Sequence, residues 1–432
     1  MGPIRKPAGT AAETTSATVE AVWRIESARL IATLSRLTGD VGLAEDMAQD
    51  ALVAALEGWP RTGVPDNPSA WLITTARNRG IDRIRRDKVL REKYEKVASE
   101  MELSGPEPGP EQVAFDEDRI GDDVLTLIFT ACHPELSAES QVALTLKTLA
   151  GLSTEEIARA FLVSKATISQ RIVRAKRTLA ESEIRFEPPA PEEMGERLGT
   201  VLGVVYLIFN EGYSATAGED WMRTELSAEA LRLGRILAGL APAEPEVHGL
   251  VALMEIQASR FPARIGPDGD PVLLMDQDRA RWDRLLIRRG LERLELAGEL
   301  GGSGPYFLQA SIAACHARAS APEQTDWDQI VGFYDALLAL RDTPVARLNR
   351  AVAVSMAGDP GRALAIVDDL AGDRRMEGYH LLPSVRGDLL EKLGRGEEAA
   401  AEFARAASLT GNEQERKVLE GRALRASKGF SS

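Results

Sequence analysis

The sequence predicts an all-α protein. Apolar residues recur at helical spacing along most of the 432 residues, and the alternation typical of half-buried strands is almost absent. Two clusters rich in proline, 104–110 and 186–191, interrupt this pattern, and each would stop a helix. The chain therefore divides into three helical blocks joined by two linkers.

The composition is that of an ordinary globular protein, with 44% hydrophobic and 27% charged residues. Two cysteines and four histidines are too few for a disulfide framework or most zinc modules. The N-terminal segment lacks the apolar stretch of a signal peptide, and the longest apolar run, 198–209, is too short for a membrane span. We expect a cytoplasmic protein without a membrane segment, metal or cofactor.

The composition shifts set the expected boundaries. We expect a disordered N-terminus over 1–19, a helical unit over 20–93, a flexible acidic linker over 94–121, a second helical unit over 122–182 and a short linker over 183–191. A longer helical block follows over 192–432.

The net charge of −14 hides a sorted pattern. Residues 77–93 carry eight basic and three acidic side chains, and residues 165–177 carry five basic and no acidic ones. Ten acidic and two basic residues lie between them, over 95–123. Two basic helices are typical of nucleic-acid contacts, although either could also be a solvated helix face.

The first unit contains an acidic amphipathic helix, a loop and a basic helix. The acidic helix, 43–57, has Glu45, Asp46, Gln49 and Asp50 largely outside its apolar stripe, which predicts an exposed acidic face. The predicted loop, 58–67, includes Trp59, which suits either the core or base stacking. Asn67 and Pro68 are typical of a helix start. Basic and polar residues crowd the helix that follows.

These strings (44–50, 70–78 and 81–86) resemble domain two of bacterial extracytoplasmic-function (ECF) sigma factors. The resemblance implies that the acidic helix docks on the β′ clamp helices of core RNA polymerase, with Glu45, Asp46, Gln49 and Asp50 facing it. It also implies that the basic helix and the preceding loop hold the separated −10 strand and a flipped base. The −10 candidates are Trp59, Arg77, Asn78, Arg83 and Arg86.

Residues 151–179 have a helix-turn-helix pattern. Ser153 and Glu156 form a predicted capping box, and Ser164 would cap the second helix. The inward stripe of that helix would be Ile168, Ile172, Ala175 and Leu179. Its outward face would read base edges through Ser169, Gln170, Val173 and Arg174, while Lys165, Arg171 and Lys176 suit phosphates.

The order of these features strengthens the resemblance. A helix-turn-helix after a domain-two-like unit and an acidic linker is similar to sigma domain four, which binds the −35 element and the polymerase β flap. In such proteins the linker threads through the RNA path of the polymerase. Its negative charge suits a cationic channel.

The C-terminal block resembles the sigma subfamily with a long helical extension related to tetratricopeptide repeats. Equivalent residues lie 36 positions apart, as in Gly358 with Gly394 and Ala363 with Ala399, which predicts repeat-like helix pairs at about 344–410. An ordinary helical bundle is the alternative. The resemblance implies a regulatory extension, and we expect an intramolecular contact between it and the sigma domains.

The segment Asn210, Glu211, Gly212 and Tyr213 is a candidate interdomain or regulatory site. It could also be a helix end with a left-handed Gly212, or part of a small-molecule pocket.

No phosphate-binding loop, nucleophile motif or metal-spaced set is present, so we expect no catalytic residues. The sequence predicts a sigma factor that brings core polymerase to promoters and opens DNA. The alternative is a conventional helix-turn-helix regulator with a helical sensor domain, which leaves the features of residues 43–86 without explanation.

Overall fold

The computed structural model describes residues 11–86, 117–161, 163–182, 184, 186–190, 192–214, 222–267 and 270–428. Within these ranges the chain is helical, apart from turns, loops and one isolated bridge between Ile265 and Pro271. The predicted all-α class is confirmed. The chain divides into two compact units, Met1–Val204 and Val205–Ser432.

The first unit contains α1 (Ala11–Thr38), α2 (Val41–Thr62), α3 (Pro68–Arg86), α4 (Glu117–Ala131), α5 (Ala138–Thr148), α6 (Thr154–Ala160) and α7 (Lys165–Glu181). The boundary between the two units falls within α8 (Met194–Tyr213). Most of the acidic linker predicted over 94–121 lies outside the described residues.

Helix α1 begins within the segment that was expected to be disordered, so residues 11–19 are helical. An apolar stripe starts at Val19 and continues through Trp23, Leu30, Ile31 and Leu34, all buried, so packing supports the helix from Val19 onward. This stripe packs against α2 and α3 on one side and α4 and α5 on the other. Helix α1 is therefore the shared core element of the first unit.

The second unit continues with α9 (Thr224–Leu240), α10 (Pro245–Ala258), α11 (Arg284–Glu299), α12 (Pro305–Arg318), α13 (Trp327–Leu340), α14 (Pro344–Met356), α15 (Pro360–Leu370), α16 (Leu381–Lys392), α17 (Gly396–Leu409) and α18 (Glu413–Lys428). From α9 onward each helix packs on the next one in the chain, the arrangement of a helical repeat array.

The turns at Gly358 and Gly394 are equivalent. Both glycines have positive φ, 108° and 76°, and in both turns the following N–H reaches back five residues, from Asp359 to Val354 O and from Arg395 to Leu390 O. A side chain would be strained at these two positions. The helices that follow bury Ala363 and Ala399 in one apolar cluster. The 36-residue spacing thus corresponds to two successive helix pairs.

Candidate polymerase and nucleic-acid surfaces

The acidic face of α2 is only partly exposed. Asp40 caps the helix by accepting from the N–H groups of Gly42 and Leu43 at 2.8 and 3.0 Å. Asp46, Gln49 and Asp50 are half-buried, whereas Glu45 is 4% exposed. The expectation that all four side chains form an exposed face is therefore wrong for Glu45.

Glu45 is buried because two lysines from the helix-turn-helix side of the unit cover it. Lys176 Nζ on α7 donates to Glu45 Oε2 at 2.5 Å and lies 3.4 Å from Asp46 Oδ1. Lys147 Nζ on α5 lies 3.6 Å from Glu45 Oε1, beyond hydrogen-bond distance. Glu45, Lys176 and Lys147, here called the lysine–glutamate cluster, join α2 to α5 and α7.

Glu45 and Asp46 stabilise the charged form of Lys176. Burial alone would lower the pKa of Lys176, but the carboxylates of Glu45 and Asp46 outweigh it and raise that pKa. A second ion pair, from Arg36 Nε on α1 to Asp123 Oδ2 on α4 at 2.9 Å, crosses the same unit. In this conformation the cation of Lys176 is therefore engaged by protein rather than by phosphate.

Trp59 belongs to the core. Helix α2 continues through Pro60 to Thr62, so the predicted loop at residue 58 begins only after the helix ends. Trp59 is 2% exposed, and its ring meets that of Trp71 edge-on, with 5.3 Å between centroids. Trp59 lies four residues after Ala55 and so continues the buried stripe of the helix, which explains why the helix extends this far. A stacked base cannot reach Trp59 in this conformation.

The basic helix α3 begins as expected. Asn67 Oδ1 accepts from Ala70 N–H at 3.0 Å, and Pro68 is the first helical residue. Arg77 is half-buried and Asn78 is exposed. Arg83 and Arg86 lie on α3, but their side chains are outside the described residues. Arg79, which sequence reasoning did not select, donates to Asp50 O at 3.1 Å and ties α3 to α2.

The helix-turn-helix caps form as predicted. Ser153 N–H donates to Glu156 Oε2 at 2.7 Å, and Glu156 N–H donates to Ser153 Oγ at 3.1 Å, the reciprocal bonds of a capping box. Ser164 Oγ accepts from Thr167 N–H at 3.0 Å at the start of α7. These bonds fix the direction in which α7 leaves the turn.

The two faces of α7 are sorted as predicted. The buried residues of the helix are Ile168, Ile172, Ala175 and Leu179. The exposed side chains include Ser169, Gln170, Val173 and Arg174, and Val173 is 60% exposed, unusual for an apolar residue. Arg174 and Gln170 are therefore accessible to base edges.

The candidate phosphate contacts do not all lie on one open surface. Lys165 is exposed and pairs with Glu155 at 2.5 Å, and Arg171 is half-buried. Lys176 belongs to the lysine–glutamate cluster. Four of the seven predicted −35 residues thus lie on the exposed face that would read bases. The other three are cations: Lys165 is exposed, Arg171 is half-buried, and Lys176 is paired with Glu45.

The segment 210–213 lies inside helix α8 and packs within the second unit. Glu211 forms a buried ion pair with Arg223, and Arg264 Nη1 donates to Tyr213 O at 2.6 Å with its guanidinium 3.6 Å from the Tyr213 ring centroid. Burial lowers the pKa of Arg264 to about 10. Asn210, half-buried, hydrogen-bonds the Tyr206 side chain.

Gly212 is not the left-handed helix end that the sequence allowed. It is helical, and a Cβ there would lie 2.4 Å from Ser227 N and 2.7 Å from Arg223 O. The missing side chain lets the start of α9 approach α8, where Arg223 N–H donates to Gly212 O at 2.8 Å. Gly212 is thus required for close packing.

The described residues contain neither a membrane-spanning helix nor a metal-binding group. No described helix is long and apolar enough to cross a membrane. Within the same ranges, no group of three or more His, Cys, Asp or Glu could hold a metal ion.

Three family descriptions match the chain. Residues 24–89 match Sigma-70 region 2, residues 126–179 match Sigma-70 region 4, and residues 197–298 match a family of unknown function, DUF6596.

Individual relatives agree with these matches. An uncharacterized protein of Rhizobium meliloti (strain 1021) is 45% identical over 88% of this chain and 89% of its own length. The probable ECF RNA polymerase sigma factor SigI of Mycobacterium tuberculosis is 29% identical over 38% of this chain, which spans 56% of SigI.

The ECF RNA polymerase sigma factor SigL of Mycobacterium tuberculosis is 31% identical over 39% of this chain and 90% of its own length. Region 2 corresponds to α1–α3, and region 4 to the capped helix-turn-helix with its exposed reading face. Because these two regions occur in that order and the match covers nearly all of SigL, the chain belongs to the ECF RNA polymerase sigma factors and carries a long helical C-terminal extension.

Proposed function

We propose that this sigma factor directs core RNA polymerase to promoters through separate −35 and −10 contacts. The observation that carries the proposal is the capped helix α7, which buries an apolar stripe and exposes Ser169, Gln170 and Arg174. A helix presented in this way can enter a major groove, where Arg and Gln recognise base edges. Lys165, Arg171 and, once released from Glu45, Lys176 contact phosphates.

The region 2 helices bind the polymerase and hold the −10 strand. Asp46, Gln49 and Asp50 form the accessible part of the clamp-facing surface, and Glu45 joins them when the lysine–glutamate cluster opens. Arg77, Asn78, Arg83 and Arg86 supply the cationic surface along α3 for the separated strand. Trp59 supports this surface from the core by packing on Trp71.

The extension acts as a built-in regulator through an intramolecular contact with the sigma domains. Its successive helix pairs form the kind of array that usually binds a protein segment. The protein acts in the cytoplasm, as a non-catalytic subunit and without a cofactor.

The first experiment is co-elution of the full-length protein with bacterial core RNA polymerase. The double variant Asp46→Asn, Asp50→Asn should bind more weakly, because it removes two charges from the accessible clamp-facing surface. Glu57→Gln, an exposed acidic position on the same helix, should bind like the unchanged protein. Polymerase-independent, tight duplex binding without co-elution would instead support a conventional regulator.

DNA opening provides a second readout. Arg83→Ala and Arg86→Ala should reduce permanganate reactivity at the −10 region more than they reduce duplex binding. A normal open bubble in both variants would remove these residues from the −10 surface.

The extension is tested by removing residues 192–432. If only the truncated chain binds the polymerase, the extension is an inhibitor. If only the full chain binds, the extension is part of the surface that docks on the polymerase. Equal binding and transcription by both forms would contradict a regulatory role.

A further inference from the structure

The second unit contains a cavity of about 250 Å³. Helices α8, α10, α12, α13 and α14 and the turn before α11 contribute its walls. Its apolar surface comes from aliphatic and aromatic side chains, including Leu253, Ile256, Ile312 and Tyr206. The volume is below the ~300–1,000 Å³ typical of drug-sized ligand sites, so it suits a small molecule.

The lining of the cavity is electropositive. Arg260 contributes a guanidinium, and no Asp or Glu lies among the lining residues. The Nε of Arg260 donates to Gln277 Oε1 at 3.1 Å, and among the described residues no carboxylate acts on the charge of this arginine. Burial lowers the pKa of Arg260, as expected for a cation with little solvent and no counter-ion. An anion in the cavity would supply the missing charge.

A second observation is independent of this charge. Trp282 lines the cavity and is 3% exposed, yet its indole Nε1 has no hydrogen-bond partner among the described residues. An indole N–H can only donate, so a buried one without an acceptor is costly. His316, another lining residue, likewise has a buried Nδ1 without a partner in the described structure. Surrounding atoms close both nitrogens off from the cavity, and its polar lining consists of Arg260 and the side chains of Gln257, Gln309 and Asn349, with the hydroxyls of Tyr206 and Tyr334.

The aromatic rings add a further constraint. The Arg260 guanidinium lies 5.7 Å from the Trp282 ring centroid, and the rings of Tyr206 and Tyr334 line other parts of the wall. One cation beside aromatic and aliphatic surface matches a molecule with one charged end and an apolar body. A single guanidinium binds a carboxylate in a planar, two-bonded arrangement.

We propose that this cavity is a binding site for a small organic carboxylate, with its carboxylate on Arg260 and its apolar body against Ile256, Ile312 and Tyr334. The site does not depend on the role of the chain in transcription. Free phosphate and ordered water are the other possible occupants, and the test separates both from a carboxylate.

The experiment measures binding to the full-length protein by isothermal titration and thermal shift. The probes are acetate, benzoate and indole-3-acetate, each compared with its neutral amide, together with inorganic phosphate. At least one carboxylate should bind saturably and raise the melting temperature, while its amide binds ~10-fold or more weakly because it forfeits a charged hydrogen bond.

Variants locate the binding. Arg260→Gln should weaken binding of the carboxylate ~10-fold. Arg362→Gln, an exposed arginine on α15, is the matched control and should bind like the unchanged protein. Because Arg260 also supports the fold, Ala313→Leu provides a second variant that fills the cavity and leaves Arg260 in place.

The inference is overturned if none of the three carboxylates binds more tightly than its amide, which would leave a water-filled cavity. It is equally overturned if phosphate binds as tightly as the best carboxylate, or if Ala313→Leu and Arg260→Gln both leave carboxylate binding unchanged. Polymerase co-elution does not enter this test, so its failure and a failure of the sigma-factor proposal are distinguishable.

Discussion

Lys176 Nζ donates to Glu45 Oε2 at 2.5 Å across 131 residues of sequence. Each residue belongs to a different expected contact surface, Glu45 to the polymerase and Lys176 to the promoter. While Glu45 and Lys176 pair with each other, neither charge is available to a polymerase group or a promoter phosphate. In the proposed function, formation of the polymerase–promoter complex requires this pair to separate, at a cost that sets part of the apparent affinity.

Substitution of Lys176 should loosen this contact. In Lys176→Gln, Glu45 would remain buried with only Lys147 at 3.6 Å, which should destabilise the α2–α7 contact by about 2 kcal/mol. Hydrogen exchange of α2 and α7 in the full-length protein should accelerate accordingly. Lys165→Gln should change exchange little, because its pair with Glu155 is exposed on both sides. Unchanged exchange in Lys176→Gln would show that the cluster does not hold these helices together.

Arg174 should determine preference within the −35 element. Arg174→Ala should reduce discrimination between the preferred −35 sequence and single-base variants by about 1–3 kcal/mol at the contacted position. Arg177→Ala, exposed on the same helix and 3.7 Å from Glu181, should weaken binding to all sequences alike. Holoenzyme binding to a set of −35 variants measures both. Discrimination retained in Arg174→Ala would exclude it as a reader.

Gly212 should tolerate no side chain. A Cβ at this position would meet the backbone of α9, so Gly212→Ala should destabilise the second unit by about 1–3 kcal/mol or displace α9. Gly199→Ala on the same helix has open space around it and should be neutral or stabilising by about 1 kcal/mol. Urea unfolding of both variants provides the comparison. Equal effects at the two positions would contradict the close approach.

The buried His316 should make the second unit sensitive to acid. Burial and the nearby Arg260 and Arg279 lower its pKa to about 4. The unfolded chain therefore binds its proton first, and stability falls as the pH drops from ~6.5 towards 4, by up to ~1.4 kcal/mol per pH unit. His316→Phe and His316→Asn should both flatten this slope in urea unfolding followed by tryptophan fluorescence. A slope unchanged in both would place the acid sensitivity elsewhere.

Local chemistry made much of the first unit predictable. The caps at Asn67, Ser153 and Ser164 depend on residues within three positions, and the α7 stripe follows from helical spacing. Glu45 could not be predicted in the same way, since only tertiary packing brings Lys176 to it. A residue on the polar side of an isolated helix is exposed only if no other element covers that side.

The second unit shows the same limit. The spacing of Gly358 and Gly394 indicated repeated turns, which the structure contains. Nothing local indicated that Arg260, Trp282 and His316, from three separate segments, line one cavity. The density of arginine over 260–284 was an available signal, but it favours a solvated surface until burial is known. The extended Trp59 helix was missed because Pro60 is more often a helix breaker.

The equivalent turns at Gly358 and Gly394 have a consequence for how the extension can vary in length. The 36-residue unit between these two turns begins and ends on the same backbone geometry, and its helices contact their neighbours in sequence. A whole unit could then be duplicated or deleted in the gene while every remaining junction kept its shape. Changes of half a unit would bring mismatched helix faces together, so extensions related by descent should differ by complete helix pairs.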